Sequence, residues 1–474
     1  MSQEFIYQGI ARSIEHQIKK QVYKIGDKLP SVREICREKG VSMNTALSAY
    51  YHLESKGLIT SRPQRGYFVS YSHQKFPGLP ETSRPVRDED ADETESLISR
   101  VFSVLGTNSH VNFSLGVPAI SLLHAARINK SLTRAMRELP GNGILYDSIQ
   151  GNQKLRTQIA KGSINWGGNL TEDDLVTTPV CMGALSFSLM SVTKKGDILV
   201  TESPVYFGVL QLAKSLGLQV LELPTHPETG IEIDALKQAI SHAKVAACLL
   251  VSNFNNPTGS CMPDEHKQAV VDLLEHHHIP LIEDDLYGDV YFGNHRPKSC
   301  KSFDRSGNVL WCGSVSKTLV PGYRVGWIAP GRFKDKIIST KLYQSVSSTG
   351  ILQEAVGNFL ETGRYENHLR KLRSILYSNS IQYLKAIGNY FPEGTKVSRP
   401  TGGFLIWIQL DPRVDTALLF QEASKHKISI APGRMFTLQN QYRNCIRLSY
   451  GMPWSERIDE SLRLLGDLSK QGMR

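Results

Sequence analysis

From Phe5 to Lys20 the apolar residues Phe5, Ile6, Ile10, Ile14 and Ile18 recur at helical spacing, while Arg12, Glu15, His16 and Lys19 fall on the opposite side. This pattern predicts an amphipathic helix. Gly26-Asp27-Lys28-Leu29-Pro30 stops it, and Ser31 followed three residues later by Glu34 is a capping-box start for a second short helix that Gly40 ends. Ser42 caps a third helix, SMNTALSAYYHLESKG, in which Ala46, Leu47, Tyr50, Tyr51 and Leu53 are expected to form the buried face and Gly57 the stop. Leu58 to Ser61 and Tyr67 to Val69, around Pro63-Gln64-Arg65-Gly66, read as a β-hairpin with Arg62 and Arg65 at or near its tip. Two short helices joined by a tight turn and followed by a basic hairpin make a winged helix-turn-helix, an α+β module spanning residues 1–72.

The pattern changes after this head. Residues 73–95, HQKFPGLPETSRPVRDEDADETE, combine three prolines with seven carboxylates and lose apolar periodicity after Leu79, which predicts an extended, mobile linker. Residues 96–474 alternate strand-like apolar runs with helical patterns: LVTTP, a helix from Gly183, DILVTES, a helix from Val205, QVLELP, AACLLVSN, a helix from Asp264, IPLIEDD, VLWCGSV and VGWIAP. Such alternation predicts an α/β domain with a mainly parallel sheet.

Composition narrows the class. A chain of 474 residues with 40% apolar and 21% charged side chains folds as two or three domains rather than staying disordered. The longest apolar runs, such as Val245 to Val251, fall far short of the roughly 20 residues of a membrane span, and the N-terminus lacks a secretory pattern; a cytoplasmic protein with no membrane partner is expected. Seven cysteines at wide spacings, without a C-x-x-C pair, fit reduced thiols. His276-His277-His278 points in different directions on a helix end, so no metal site is expected there. The formal +10 is uneven, with +5 on residues 1–72, −4 on 73–95 and +9 on the rest. A basic head on an acidic connector suggests a nucleic-acid module tied to something else.

The body lacks G-x-G-x-x-G, and the lysine of Ser314-Val315-Ser316-Lys317-Thr318 lacks the preceding glycine of a P-loop, which removes nucleotide-binding readings. Chemistry gathers instead where strands end, as expected for a parallel sheet. Asn255-Asn256-Pro257-Thr258-Gly259 follows one strand, Asp284-Asp285-Leu286-Tyr287 a second, and Ser314 to Lys317 a third, with Arg324 seven residues beyond. Each alone has an ordinary explanation as a turn, a helix cap or a solvated lysine.

Together the motifs resemble known families. GDKLPSVRE, VSMNTALSAYYHLESKGLI and SRPQRGYFV resemble the N-terminal domain of GntR-type bacterial regulators. The resemblance implies that the third helix enters the major groove of double-stranded DNA, with Ser42, Asn44 and Thr45 near bases or phosphates, Arg33 on the backbone and Arg65 with Gly66 in the wing. Met43 stands where the family often has Arg, so the preferred DNA site should differ.

Over residues 110–474 the order of motifs resembles fold-type I pyridoxal-phosphate enzymes of the aminotransferase branch. The resemblance implies that Lys317 links covalently to the cofactor aldehyde and shuttles protons, because only an amine condenses with it. Asp284 would pair with the ring nitrogen, Asn256 and Tyr287 with the ring hydroxyl oxygen, and Arg324, Ser314 and Ser316 with the phosphate. Tyr206 would stack on the ring, and Arg447 would clamp the carboxylate of an amino acid. Thr178 to Ala184 departs from the usual Gly-Ser-Gln turn: Cys181 loses a phosphate-facing hydroxyl, while Met182 and Gly183 still offer N–H groups at a helix start. Tyr146 matches a tyrosine that reaches the neighbouring subunit's phosphate, which implies a homodimer.

The whole arrangement resembles the MocR subfamily of bacterial regulators. It implies transcription regulation, with the body sensing an amine, an amino acid or the cofactor itself. The alternative is an active aminotransferase with an accessory DNA-binding head.

Overall fold

The computed structural model describes residues 6–20, 22–24, 26–55, 57–62, 65–69, 77–84, 92–103, 110–123 and 125–473. They divide into two units, Met1–Gly78 with Leu384–Tyr390, and Leu79–Tyr383 with Phe391–Arg474.

In the first unit, α1 (Ile6–Lys19) buries Ile10, Ile14 and Ile18, as its periodicity predicts, and Ala11 besides; Phe5 and the Ile6 side chain lie outside what is described. The capping box closes α2 (Val32–Lys39): the Ser31 N–H donates to Glu34 Oε2 at 2.6 Å and the Glu34 N–H to Ser31 Oγ at 3.2 Å. Gly40, at φ 63°, ends it in the left-handed conformation that glycine tolerates. In α3 (Met43–Ser55) the buried face is Ala46, Ala49, Tyr50 and Leu53. The expected Leu47 and Tyr51 are only half-buried, because the i, i+3, i+4, i+7 stripe starting at Ala46 runs through Ala49 instead. Strands β1 (Ile59–Arg62) and β2 (Gly66–Val69) pair antiparallel with Arg62 opposite Gly66. Tyr67 stacks on Tyr50 with ring centroids 4.6 Å apart, which ties this hairpin to α3. Pro63 and Gln64 of the hairpin tip lie outside the described residues.

The connector differs from a free tether over the part that is described. Ser83 is buried; its N–H donates to the Thr225 carbonyl at 3.2 Å and its Oγ accepts from the Thr225 N–H at 2.8 Å. Glu81 pairs with Lys396 at 2.5 Å, and its N–H donates to Gln409 Oε1 at 2.9 Å. Helix α4 (Asp92–Ser103) then begins inside the acidic run and buries Leu97 and Val101, one turn apart.

The second unit holds the large sheet. Among the described residues its strands are β4 (Val176–Pro179), β5 (Ile198–Glu202), β6 (Gln219–Leu223), β9 (Val245–Leu250), β10 (Leu281–Asp284), β11 (Val309–Ser314) and β12 (Val325–Ala329), in the order β4-β12-β11-β10-β9-β5-β6. The pairs from β11 through β6 are parallel, and β12 runs antiparallel to both β11 and β4. Short strands β3 (Val111–Asn112) and β15 (Ile428–Ser429) pair with each other, as do β7 (Thr225–His226) and β8 (Gly230–Ile231). A smaller sheet joins β13 (Lys396–Val397), β14 (Leu405–Gln409), β17 (Cys445–Ser449) and β16 (Ala431–Pro432) in that order.

Helices cover both faces of the large sheet. On one, α7 (Val180–Val192) and α8 (Phe207–Ser215) pack Leu185, Leu189, Val209 and Leu210 against Leu199, Leu249, Ile282 and Leu310. On the other, α9 (Ile233–His242) and α10 (Asp264–His276) pack Leu236, Val270 and Leu274 against Val200, Cys248 and Leu281. Burial on both sides is why these strands read as continuous apolar runs. Helix α7 starts at Val180 rather than Gly183 and α8 at Phe207 rather than Val205, so the predicted helices are displaced by two or three residues.

Candidate functional site

The site lies at the carboxyl ends of β9, β10 and β11, where one cavity of about 240 Å³ is lined by Asn256, Asp284, Tyr287, Ser316, Lys317, Arg324, Arg447, Tyr206, Cys181 and Met182. The sequence-predicted residues are therefore brought together from separate elements. A Cβ placed on Gly116 would lie 3.8 Å from Arg447 Nη1, 3.8 Å from Tyr287 OH and 4.0 Å from Lys317 Nζ, so an amine, a phenol and a guanidinium converge on one small volume.

Lys317 ends the 3₁₀ turn Val315–Lys317 that directly follows β11. Burial holds its pKa down, to about 8, with Arg447 adding to the effect and Asp284 opposing it. Asp284, the last residue of β10, is pushed up to about 6 by burial, against hydrogen bonds from Cys181 and the Leu286 N–H. Asn256 Nδ2 faces Tyr287 OH at 3.5 Å, and its Oδ1 accepts from Arg447 Nη1 at 3.1 Å. Tyr206 immediately precedes α8, and its ring lies where a Cβ on Gly208 would come within 2.4 Å, so that position has no room for a side chain.

Arg447, on β17, is buried, yet among the described residues no carboxylate meets it. Its Nη2 donates to the Ser114 carbonyl, Nη1 to Asn256, and Nε is buried without a partner. Phe436 lies 5.2 Å from the guanidinium carbon. Burial lowers the Arg447 pKa, the mark of a cation held out of water without compensation.

Arg324 is exposed on the cavity wall, and its side chain donates to the Pro321 carbonyl at 3.4 Å. Its own carbonyl accepts from the Val180 N–H at 3.2 Å, and the two residues share left-handed backbone, at φ 55° and 60°. For a β-branched residue such as Val180 that conformation is strained. Thr178 Oγ1 donates to the Val180 carbonyl at 2.8 Å, and a Cβ on Gly326 would come within 2.4 Å of the Val180 carbonyl carbon. This clamp aims the first turn of α7 at the cavity, where N–H groups unused by the helix favour an anion. Gly326→Ala is therefore expected to lower the melting temperature and weaken phosphate-ligand binding, by about 1–3 kcal/mol from backbone displacement. Unchanged melting and unchanged binding by titration would separate Gly326 from the clamp.

Several predicted residues stand elsewhere. Ser314 does not line this cavity: its Oγ donates to the Val325 carbonyl at 2.7 Å and accepts from the Ser316 N–H at 3.1 Å, so it shapes the turn that presents Ser316. Gly183 lies one residue beyond the lining, with the Pro179 ring 3.1 Å from where its Cβ would be. Cys181 lines the cavity, but its thiol donates to Asp284 Oδ1 at 3.3 Å rather than taking the place of a phosphate-facing hydroxyl. Tyr146 is 87% exposed and away from this chain's own cavity, beside exposed Ile144 and Leu145.

Sequence reasoning missed Ser114, Leu115, Gly116 and Val117, which follow the two-residue β3, and Phe102 of α4 and Phe207 of α8, whose rings meet edge to face at 5.3 Å. Phe102 and Phe207 line the same cavity.

In the first unit Arg33, Ser42, Arg65 and Gly66 are exposed and Thr45 is half-buried; the Asn44 side chain lies outside the described residues. Ser42 Oγ accepts from the Thr45 N–H at 3.2 Å and meets Thr45 Oγ1 at 2.8 Å, so it serves as the N-cap of α3. Exposed Lys28 was not anticipated; it forms a β-bridge with Phe68 of the hairpin, and a Cβ on Gly66 would lie 3.4 Å from its Cε.

Comparison with known proteins fits both units. The family described as bacterial regulatory proteins, gntR family, matches residues 6–69, and aminotransferase class I and II matches residues 111–462. The HTH-type transcriptional regulator YjiR of Escherichia coli K12 is 36% identical over 98% of this chain and 99% of its own length. The chain belongs to the MocR branch of the GntR regulators. The HTH-type transcriptional regulator NorG of Staphylococcus aureus USA300 shares 25% identity over 92% of this MocR chain and 98% of its own. Among solved structures, the α-aminoadipate aminotransferase LysN of Thermus thermophilus, complexed with N-(5'-phosphopyridoxyl)-L-leucine, superposes with a TM-score of 0.73 at 25% identity, covering 80% of this chain and 95% of LysN.

Pyridoxal 5'-phosphate is the expected cofactor of the MocR body. The residues present fit it: an amine of lowered pKa, a buried carboxylate, and a guanidinium beside a helix start share one cavity. When bound, the cofactor supplies an aldehyde for an amine and a ring that withdraws electrons. Asp284 would hold a proton on the ring nitrogen, Asn256 and Tyr287 would orient the ring edge, and Tyr206 would exclude water from its face. Among the described residues no helix is long and apolar enough to cross a membrane.

Proposed function

We propose that the chain is a pyridoxal-phosphate-dependent, DNA-binding transcriptional regulator whose effector is an amino acid. The observation that carries the reading is Arg447, a buried guanidinium without a carboxylate, set beside Lys317 and Asn256 in one cavity. A buried unpaired cation is costly, and an incoming α-carboxylate relieves that cost by a bidentate pair. The phosphopyridoxyl-leucine held by LysN supports an amino acid as the class of ligand.

Regulation requires that the cavity be felt by the DNA-binding head, and the connector touches the body in two places. Ser83 is fixed to Thr225, and Glu81 pairs with Lys396 while its N–H donates to Gln409 Oε1. Phe102, on the helix that follows the connector, lines the cavity itself. A ligand that presses on Phe102 therefore acts on a helix that begins within the connector. The exposed run Ile144, Leu145 and Tyr146 supports a homodimer in which Tyr146 faces the partner's cavity. The domain limits of this reading are 1–72, 73–95 and 96–474, and its location is the bacterial cytoplasm.

Arg33, Ser42, Thr45, Arg65 and Gly66 form the proposed face for double-stranded DNA, with Asn44 in the first turn of α3. The experiment is selection of bound DNA fragments with loaded protein, with and without amino acids, followed by gel shifts with Arg65→Ala. Loss of this wing contact is expected to weaken DNA binding by about 1–3 kcal/mol and, for a phosphate contact, to lower the salt slope by about one. The cofactor spectrum should stay unchanged. Equal affinity of the variant at two salt concentrations removes Arg65 from the interface, and DNA binding indifferent to every amino acid removes the effector reading. A working aminotransferase is favoured by one observation, that Lys317, Asp284 and Arg447 share the cavity. Conversion of the cofactor to its amine form by an amino acid, reversed by a keto acid, would establish that reading.

A further inference from the structure

We propose that the Cys181 thiol is a positioning residue for Asp284, donating its hydrogen to one carboxylate oxygen so that the other is turned toward the nitrogen of a bound pyridine ring. The proposal rests on the cofactor reading above and adds a role for a residue whose thiol had looked like a lost phosphate contact.

The geometry is specific. Both hydrogen bonds that Asp284 accepts end on Oδ1, from Cys181 Sγ at 3.3 Å and from the Leu286 N–H at 3.1 Å. Asp284 lines the cavity, and neither bond involves Oδ2. The second donor is needed because a single N–H leaves the carboxylate free to pivot about its Cβ–Cγ bond. The placement of the thiol follows from the left-handed turn at Val180, which is held by Arg324 and Thr178. That turn carries residue 181 inward, where Cys181, in the first turn of α7, is 5% exposed and belongs to the core between α7 and the sheet. An independent feature points to a ligand in this cavity: Arg447, 3% exposed, also lines it, and its buried Nε has no partner among the described residues.

Sulfur suits the task better than oxygen. Burial and the charge of Asp284 push the Cys181 pKa well up, so the thiol keeps its hydrogen and remains a donor. An S–H group is a weak donor, so it orients the carboxylate while drawing off little of its charge. A hydroxyl makes a shorter, stronger bond to a carboxylate and would stabilise the charged form further. A methyl would withdraw the stabilisation altogether. A carboxylate that must keep a proton on a pyridine nitrogen has to stay ionised with its charge left for that nitrogen, and the thiol's weak bond does both.

The sign of each substitution follows. Loss of a donor to the charged form raises the Asp284 pKa, and a stronger donor lowers it. The other titratable groups facing Asp284 are Lys317 after β11, Cys312 on β11, Glu202 on β5, Tyr206 before α8, and Asp285 and Tyr287 in its own loop. None of them changes between the variants, so a difference reports the thiol.

The test uses the loaded full-length protein, as wild type, Cys181→Ala and Cys181→Ser, each carrying cofactor labelled with nitrogen-15 in the ring. The ring-nitrogen chemical shift is followed on the acid side, where Asp284 takes up its own proton and releases the ring. In Cys181→Ala the midpoint is expected to rise by less than about one pH unit, since a thiol is worth less than the ordinary hydrogen bond to a charged group. In Cys181→Ser it is expected to fall below that of the wild type. Opposite signs cannot come from a disturbed fold, which would move both variants the same way. Identical midpoints, or two shifts of one sign, overturn the proposal. If the alanine variant fails to fold or load, the serine variant decides, and a midpoint at or above wild type overturns it. A wild-type protein with no ring signal removes the cofactor reading and this proposal with it, a result distinct from loaded variants that titrate alike.

Discussion

Lys317→Ala is expected to abolish a covalent bond between protein and cofactor while leaving the fold intact. Borohydride treatment of the loaded wild type should fix the phosphopyridoxyl group on Lys317, seen by mass spectrometry of the digested chain, and the variant should yield no such adduct. The argument starts from position: Lys317 ends the turn after β11, and its amine approaches the cavity point shared by Tyr287 and Arg447. Burial then does the chemical work. With the pKa held down to about 8, roughly one amine in ten is neutral at pH 7, against fewer than one in a thousand for an ordinary lysine near 10.4. Only the neutral amine attacks an aldehyde, so loading of cofactor-free protein should accelerate about tenfold per pH unit below pH 8 and level off above it. A rate that keeps climbing to pH 10 would show an ordinary lysine. An adduct on another residue would move the site. Removing a desolvated amine breaks no ion pair, so melting temperatures of the two cofactor-free proteins should agree within a few degrees.

The head and the strands of the body were readable because their determinants are local. The Ser31 and Glu34 caps, the αL glycine at 40 and the isoleucine stripe of α1 each operate within a few residues. Parallel strands covered by helices on both faces must be continuously apolar, so VAACLL and VLWCG announce themselves. Strand ends then singled out Asn256, Asp284 and Lys317, which the fold brings into one cavity.

What stayed hidden depends on distant partners. Ser114 to Val117 follow a strand of two residues, too short for any periodicity, and they matter only because β17 brings Arg447 to the Ser114 carbonyl. The direction of the Cys181 side chain depends on the backbone at Val180, which is set by the Arg324 carbonyl far along the chain. The family resemblance implied that Ser314 is a phosphate ligand, but the antiparallel strand β12 offers the Val325 carbonyl first. The carboxylates that end the connector hid the start of α4, which Leu97 and Val101, four residues apart and just beyond it, anchor.

Arg447→Met should separate stability from sensing, moving them in opposite directions. The guanidinium is buried, held by Asn256 and a backbone carbonyl, and has one nitrogen without a partner. In the absence of an anion it is an uncompensated charge, and replacing such a charge with an apolar side chain of similar length is often neutral or stabilising by about 1–4 kcal/mol. The melting temperature of Arg447→Met without amino acid should therefore equal or exceed that of the wild type. Amino-acid affinity should collapse, because the α-carboxylate would enter a cavity with no cation to receive it; loss of a buried, hydrogen-bonded charge pair costs about 2–5 kcal/mol, a fall of about thirtyfold or more. Lysine should not rescue it, since a point ammonium on a shorter reach lacks the fork that meets Asn256 and a carboxylate together. Calorimetric titration of the loaded variants with amino acids, beside thermal melts, gives both quantities. The decisive comparison is with amines that have no carboxylate: if Arg447 receives the carboxylate, such amines should bind wild type and variant alike. A variant that loses amino acids and amines equally would mean that Arg447 supports the cavity as a whole, and the effector would then have to be recognised elsewhere on it.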